Sequence, residues 1–324
     1  MGDKFLEVKN LKTYFRIDED TLKAVDGVSF IIEKGRTLGL VGESGCGKSV
    51  TALSMMKLIP SPPAVITGEV NLSGKNILAM GDRELRGIRG NKISMIFQEP
   101  MTSLNPVFTV ESQIVETIML HQKTGKQEAV GIAIGLLKDV GIPEPGKRLK
   151  DYPHQLSGGM RQRIMIAMAL SCNPGLLIAD EPTTALDVTI QAQILELLKD
   201  LQTKFGMGIL MITHDLGVIS EIAHDVCVMY TGKVVEQAGV NDLFESPLHP
   251  YTLGLMSSIP SVDKKNRKLD TIPGTVPDLL SLPTGCNFST RCYKVKDKCL
   301  KEKPELVKVG NNHFVSCWFP EKGR

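Results

Sequence analysis

No stretch of the 324 residues is apolar for long enough to cross a bilayer. The longest apolar runs, such as GLLIAD at 175–180 and GILMITH at 208–214, fall far short of the roughly 20 residues a spanning helix needs. The opening residues, MGDKFLEVKN, are charged and lack the apolar core of a secretory signal. Excess charge is missing as well. Lys+Arg number 38 against 36 Asp+Glu, so bulk attraction to nucleic acid or anionic lipid is not a default expectation. There is no internal repeat. These absences predict a soluble chain that stays in the cytoplasm, built as one large domain or two moderate ones, and an apolar content of 42% is ample for the core. Seven cysteines are expected to stay reduced there. Cys46, Cys172 and Cys227 are scattered, whereas Cys286, Cys292, Cys299 and Cys317 crowd into the tail.

The pattern along the chain is that of an α/β layer with an interruption. FLEVKNLKTYF reads as a strand, and VSFIIEKG as another after a turn at Asp26-Gly27. TLGLVG reads as a short buried strand entering a glycine loop, with a helix over roughly Lys48 to Leu58. GEVNLSGKNI offers two β-like pieces around a turn, and KISMIFQ another apolar strand. From about Asn105 to Leu170 apolar residues recur at helical spacing, which predicts a helical insertion over 105–170. PGLLIADEP, MGILMITHD and DVCVMYTGKVVEQ return to strands, with an amphipathic helix over VTIQAQILELLKDLQTKFG. After about Val240, Pro and Gly thicken and periodicity fades. This predicts a main domain over 1–240 and an irregular, coreless extension over 241–324.

Residues 42–49, GESGCGKS, match G-x-x-x-x-G-K-[ST], the only phosphate loop in the chain. Glycines let the backbone curl so that several N–H groups aim at phosphate oxygens. Lys48 is placed to reach the β- and γ-phosphates and Ser49 to ligate Mg²⁺. The nucleotide-binding set predicted here is Gly42, Glu43, Ser44, Gly45, Cys46, Gly47, Lys48, Ser49 and Val50. Cys46 reads as a small filler whose alkylation bound ATP should block.

Kinases, GTPases and motor ATPases share such a loop, so a second element is needed. LLIADE at 176–181 supplies it: four apolar residues bury the strand and Asp180 emerges at its carboxyl end, where it can hold Mg²⁺. Glu181 follows, placed to orient and deprotonate the attacking water. Gln98 closes KISMIFQ and His214 closes GILMITH. Alone, either is an ordinary hydrogen-bonded residue at a strand end. Beside the loop and the acidic pair, Gln98 reads as a Mg²⁺ or water contact and His214 as a γ-phosphate contact.

LSGGMRQR at 156–163 also looks like an anion site, with Ser157 capping a helix and Gly158-Gly159 permitting close approach. It has no lysine at the phosphate-loop spacing. A head-to-tail pair of ATPase domains, each offering this segment to the other's nucleotide, makes use of it.

GESGCGKS, Gln98, LSGGMRQ, LLIADEP, TALD and His214 occur in an order that resembles an ABC-transporter ATPase domain, over about residues 5–240. The resemblance implies a RecA-like P-loop fold with an antiparallel β subdomain and an inserted helical subdomain. It implies that Ser157, Gly158 and Gly159 complete the partner's ATP site, with Met160 standing where the family usually has Gln. It implies that Asp187 couples the two sites, and that an aromatic near residue 15 stacks on adenine, Phe15 by spacing with Tyr14 as a rival.

QEPMTSLNP after Gln98, SPLHPYT at 246–252 and the tail pattern GCNFSTRC…C…P…C look like dipeptide and oligopeptide importers. The likeness implies an ATP-binding subunit at the cytoplasmic face of a bacterial membrane. Its partners would be a second, related or identical ATPase subunit and two membrane permeases, with an external peptide-binding protein acting indirectly. A soluble ABC protein acting on nucleic acid or ribosomes and a small-molecule kinase are the competing classes. The first fits poorly with a single cassette lacking a basic stripe, and the second leaves LSGG without a task.

The tail cysteines are spaced C-x5-C, C-x6-C and C-x17-C. Disulfides are disfavoured by compartment. Zinc knuckles usually bring ligands two to four residues apart, and longer spacings suit a wider thiolate cluster such as [4Fe–4S]. Zinc and free thiols stay open beside it. Arg291, Lys294, Lys296 and Lys298 are expected to stabilise the thiolates.

Overall fold

The computed structural model describes residues 4–98, 104–184, 186–258 and 271–321. Residues 99–103 of QEPMTSLNP and Ala185 of TALD lie outside the described residues.

In chain order, β1 (Lys4–Ile17), β2 (Asp20–Glu33), β3 (Thr37–Val41), α1 (Lys48–Met55), β4 (Ala64–Leu72), β5 (Lys75–Asn76) and α2 (Asp82–Ile88) come first. They are followed by β6 (Ile93–Ile96), α3 (Val110–Gln122), α4 (Lys126–Asp139), the single turn α5 (Pro145–Arg148) and α6 (Gly158–Ala169). Then come β7 (Leu176–Asp180), α7 (Val188–Phe205), β8 (Gly208–Thr213), α8 (Leu216–Ile222), β9 (Asp225–Tyr230) and β10 (Lys233–Gly239). The described remainder holds α9 (Val240–Glu245), α10 (Pro250–Ser257), α11 (Asp297–Lys301), β11 (Val307–Lys308) and β12 (Phe314–Val315).

The chain forms two compact units. One contains residues 79–210 with short pieces near 1–5 and 32–36. Here β6 and β7 are parallel neighbours. LLIAD is buried at every position, as expected of a parallel strand covered on both faces. The insertion is helical as its spacing predicts. α3 buries Val110, Ile114, Val115 and Ile118, α4 buries Ala129, Ala133, Leu136 and Leu137, and these stripes bring α3, α4 and α6 together.

The other unit contains residues 6–31, 37–78 and 211–324. A sheet ordered β2-β1-β4-β5 carries the antiparallel β1–β4 pair. A second run of neighbours is β11-β12-β10-β9-β3, with β3 parallel to β9.

Four local expectations are corrected. Asp26-Gly27 is not a turn: β2 is continuous through it, Gly27 taking φ +85° inside the strand while Asp26 accepts from Tyr14 Oη. The glycine marks an irregularity within a strand, not its end. α1 stops at Met55, and β6 ends at Ile96, so Gln98 stands beyond the strand. The extension is not coreless either. Tyr251 and Phe288 are buried, their centroids 5.4 Å apart, and Phe288 meets Tyr230 edge-on at 5.2 Å. No described helix is long and apolar enough to cross a membrane.

Candidate nucleotide site and cysteine cavity

The phosphate loop joins β3 to α1, as the strand–glycines–helix order predicts. Its glycines are required by space as well as by backbone angle. A Cβ on Gly47, at φ +102°, would sit 2.3 Å from the Ala24 carbonyl, and one on Gly42 the same distance from the Met229 carbonyl. Lys48 is buried and donates from Nζ to the carbonyls of Gly42 (2.8 Å) and Glu43 (3.1 Å). Its ammonium is therefore held over the loop by the loop itself. Cys46 is buried and its thiol is pushed up by burial, which disfavours the reactive thiolate. Ser44 and Gly45 lie on the exposed part of the loop, and Ser49 and Val50 open α1.

Gln98, Asp180 and Glu181 share the other unit. Asp180 is buried at the end of β7. Glu181 leaves the strand at φ +47°, a left-handed conformation that costs a non-glycine residue of order 1–3 kcal/mol and marks sites where position is imposed. Its Oε2 accepts from Gln98 Nε2 at 3.0 Å and from Thr184 Oγ1 at 2.9 Å. Two separate predictions, a strand-end glutamine and a strand-end glutamate, thus meet in one hydrogen bond.

Ser157 caps α6 by accepting from the Met160 amide at 3.3 Å and is exposed. A Cβ added to Gly158 meets no atom within 4 Å, and one on Gly159 only Ile190 at 3.4 Å. From inside α6, Gln162 is buried and donates to the carbonyl of Pro182, tying the LSGG helix to the segment after Glu181. Asp187 caps α7 by accepting from the Ile190 amide at 2.9 Å. His214 follows β8 directly and is exposed.

Thr13 Oγ1 hydrogen-bonds Ser54 Oγ of α1 at 2.7 Å. Residues alternate along a strand, so Phe15 shares that face of β1 while Tyr14 takes the opposite one, where its hydroxyl meets Asp26 at 2.6 Å.

Cys286, Cys292, Cys299 and Cys317 are free thiols that line one cavity together with His249, Lys294, Trp318 and Phe319. Among the described residues no group of three or more His, Cys, Asp or Glu side chains is arranged to hold a metal ion. The expected cationic surround is only partly there. Lys294 lines the cavity, but Lys298 lies 3.5 Å over the Trp318 ring, Lys296 lies 4.3 Å over Phe319, and Arg291 is engaged elsewhere. Burial dominates, pushing the Cys286 and Cys292 thiols up and Cys317 to about 11.

Two arrangements had no signal in the sequence. Arg291 grips Glu43 of the phosphate loop, with Nη1 2.6 Å and Nη2 3.1 Å from the two carboxylate oxygens. Glu236, fully buried in β10, accepts from the amides of Leu248 and His249 and lies 2.7 Å from His313 Nε2. SPLHPYT is thereby fastened to the strand it follows.

A family profile described as ABC transporter matches residues 25–184, and one described as oligopeptide/dipeptide transporter, C-terminal region, matches 235–299. The chain is 55% identical to the oligopeptide transport ATP-binding protein AppD of Bacillus subtilis, over 98% of this chain and 97% of that one. It is 50% identical to the dipeptide transport ATP-binding protein DppD of the same organism, over 99% and 96%. Among solved structures, a dimeric post-hydrolysis state of the ATP-binding cassette MJ0796 bound to ADP and phosphate superposes with a TM-score of 0.65 at 28% identity. It covers 72% of this chain and 98% of that one. The phosphate loop, the Gln98–Glu181 contact, the LSGG helix and both family matches agree: the chain belongs to the ABC ATP-binding subunits of oligopeptide and dipeptide transporters.

Proposed function

We propose that this chain binds and hydrolyses ATP as one of two paired ATPase subunits, and that the cycle drives peptide import from the cytoplasmic face of a bacterial membrane. The observation that carries the pairing is Gly158. Its backbone is not left-handed and a side chain there would meet nothing within 4 Å, so nothing in its own chain asks for glycine. A phosphate approaching from outside does ask for it. The MJ0796 cassette is dimeric, in line with this.

In this reading Lys48 binds the β- and γ-phosphates, and Ser49, Asp180 and Gln98 hold Mg²⁺ and its water. Glu181 orients the attacking water and takes its proton, and His214 hydrogen-bonds the γ-phosphate. Ser157, Gly158 and Gly159 of one subunit cap the nucleotide of the other, Asp187 links the sites, and Phe15, on the α1 side of β1, stacks on adenine. Closure is relayed through the helices of 105–170 and the segment after Gln98 to two permeases, and an external binding protein supplies the peptide. The test is specific ATPase activity against protein concentration. It should fall where light scattering reports lone subunits, and constant activity there overturns the pairing.

We further infer that the extension, 241–324, carries a [4Fe–4S] cluster on Cys286, Cys292, Cys299 and Cys317. Support comes from four free thiols lining one cavity, at sequence spacings longer than those of zinc knuckles. Ligation supplies the deprotonation that burial opposes, and it fastens an extension of short elements. Anaerobically purified protein should be brown with about four irons per chain. Colourless protein with one zinc overturns the cluster in favour of a Cys₄ zinc site.

A further inference from the structure

The phosphate loop is held from outside by the extension, and Glu43 is the point of attachment. All three of its functional groups are engaged. Its carbonyl accepts from Lys48 at 3.1 Å, its amide donates to Tyr251 Oη at 2.9 Å, and its carboxylate is forked by Arg291. Both tail residues are themselves fixed. Tyr251 is fully buried against Tyr230 and Phe288. Arg291 donates from Nε to the Pro273 carbonyl at 3.1 Å, and its side chain is 4% exposed against 29% for Glu43.

Nothing in phosphate binding calls for an acid at this position. A carboxylate inside a loop that must accept a triphosphate repels it at short range, and does so strongly where water is partly excluded. Unpaired, Glu43 would oppose the nucleotide. Paired with a buried guanidinium, it becomes a neutral handle by which the loop is held.

We propose that the extension is a clamp on the phosphate loop of its own chain. Arg291 neutralises and aims the Glu43 carboxylate, Tyr251 orients the Glu43 amide, and both are positioning residues for nucleotide binding. The clamp is independent of which solute the transporter moves.

The experiment is ATP titration calorimetry on the full chain, with Arg291→Gln, Glu43→Gln and the double variant, each checked for a native melting transition. Arg291→Gln leaves a bare carboxylate and should weaken ATP by about 10–100-fold, the range for losing a charge-assisted hydrogen bond. Glu43→Gln on its own serves as the reference for the second substitution, and the double variant should bind ATP more tightly than Arg291→Gln, recovering most of the loss. Recovery separates a charge effect from general loosening, which a second substitution would not repair. An Arg291→Gln variant that binds ATP like the parent, or a double variant no better than Arg291→Gln, overturns the clamp. Should Arg291→Gln fail to fold, Tyr251→Phe decides. It keeps the ring and removes only the hydroxyl: affinity lowered at least about threefold supports the clamp, and unchanged affinity overturns it.

Discussion

Gln98 donates from Nε2 to Oε2 of Glu181 over 3.0 Å, although 83 residues separate them. With Thr184 on the same oxygen, the carboxylate is held by two side-chain donors. Gln98→Ala takes the Nε2 donor away from Glu181 and, in the proposed mechanism, a Mg²⁺ or water contact. Turnover is expected to fall about 10–100-fold with ATP affinity within a few-fold, read by steady-state ATPase and calorimetry on the same preparation.

Glu181→Gln keeps the shape of the side chain and removes the base of the proposed mechanism. ATP binding should persist, turnover should drop by at least about 100-fold, and the ATP-bound pair should become long-lived by size-exclusion chromatography. Full turnover in this variant would remove Glu181 from the chemistry.

Gly158→Ala separates stability from catalysis. No atom of its own chain crowds the new methyl, and alanine is the better helix former by about 0.5–1 kcal/mol, so melting should hold or rise slightly. ATPase should fall nonetheless if, as proposed, the methyl occupies the approach of a partner subunit's nucleotide. Gly47→Ala makes the contrast: at φ +102° and 2.3 Å from the Ala24 carbonyl, it should lower both melting temperature and ATP affinity.

Acid should loosen the region around His249. Burial outweighs the attraction of Glu236 and brings its pKa from 6.5 down to about 4. Between those pH values the unfolded chain takes up a proton that the folded chain refuses. The stabilising contribution is complete above 6.5 and is lost as pH falls toward 4, by at most about 3 kcal/mol. Melting followed from pH 7.5 downwards should show the loss, and His249→Asn should flatten it.

Phe288→Ala empties a ring packed against Tyr230, Tyr251 and His249 and should cost about 3–5 kcal/mol. Limited proteolysis should then cut first within the extension, and ATP affinity should fall with it if Tyr251 and Arg291 hold the loop.

The sequence by itself determined whatever depends on neighbouring residues. GESGCGKS and LLIADE were legible because a turn that cradles phosphate and a strand that delivers an acid at its end are local devices, written in consecutive positions. The helices of 105–170 were legible because burial on one face imposes a period. The strand reading broke at Gly27, where a glycine inside β2 imitates a turn, and at the extension, whose core is assembled from Tyr230, Tyr251 and Phe288 rather than from any periodic stretch.

Only the tertiary structure decided which groups meet. Gln98 with Glu181, Glu236 with His313, and Arg291 with Glu43, 248 positions apart, are pairings that no spacing encodes. A buried charge must be matched by whatever the fold brings beside it, and that neighbour is chosen by the path of the whole chain. In the sequence Arg291 was one more cation among the tail cysteines. In the folded protein it turns away from them to a carboxylate of the phosphate loop, because a guanidinium withdrawn from water is stable only against a partner of opposite charge.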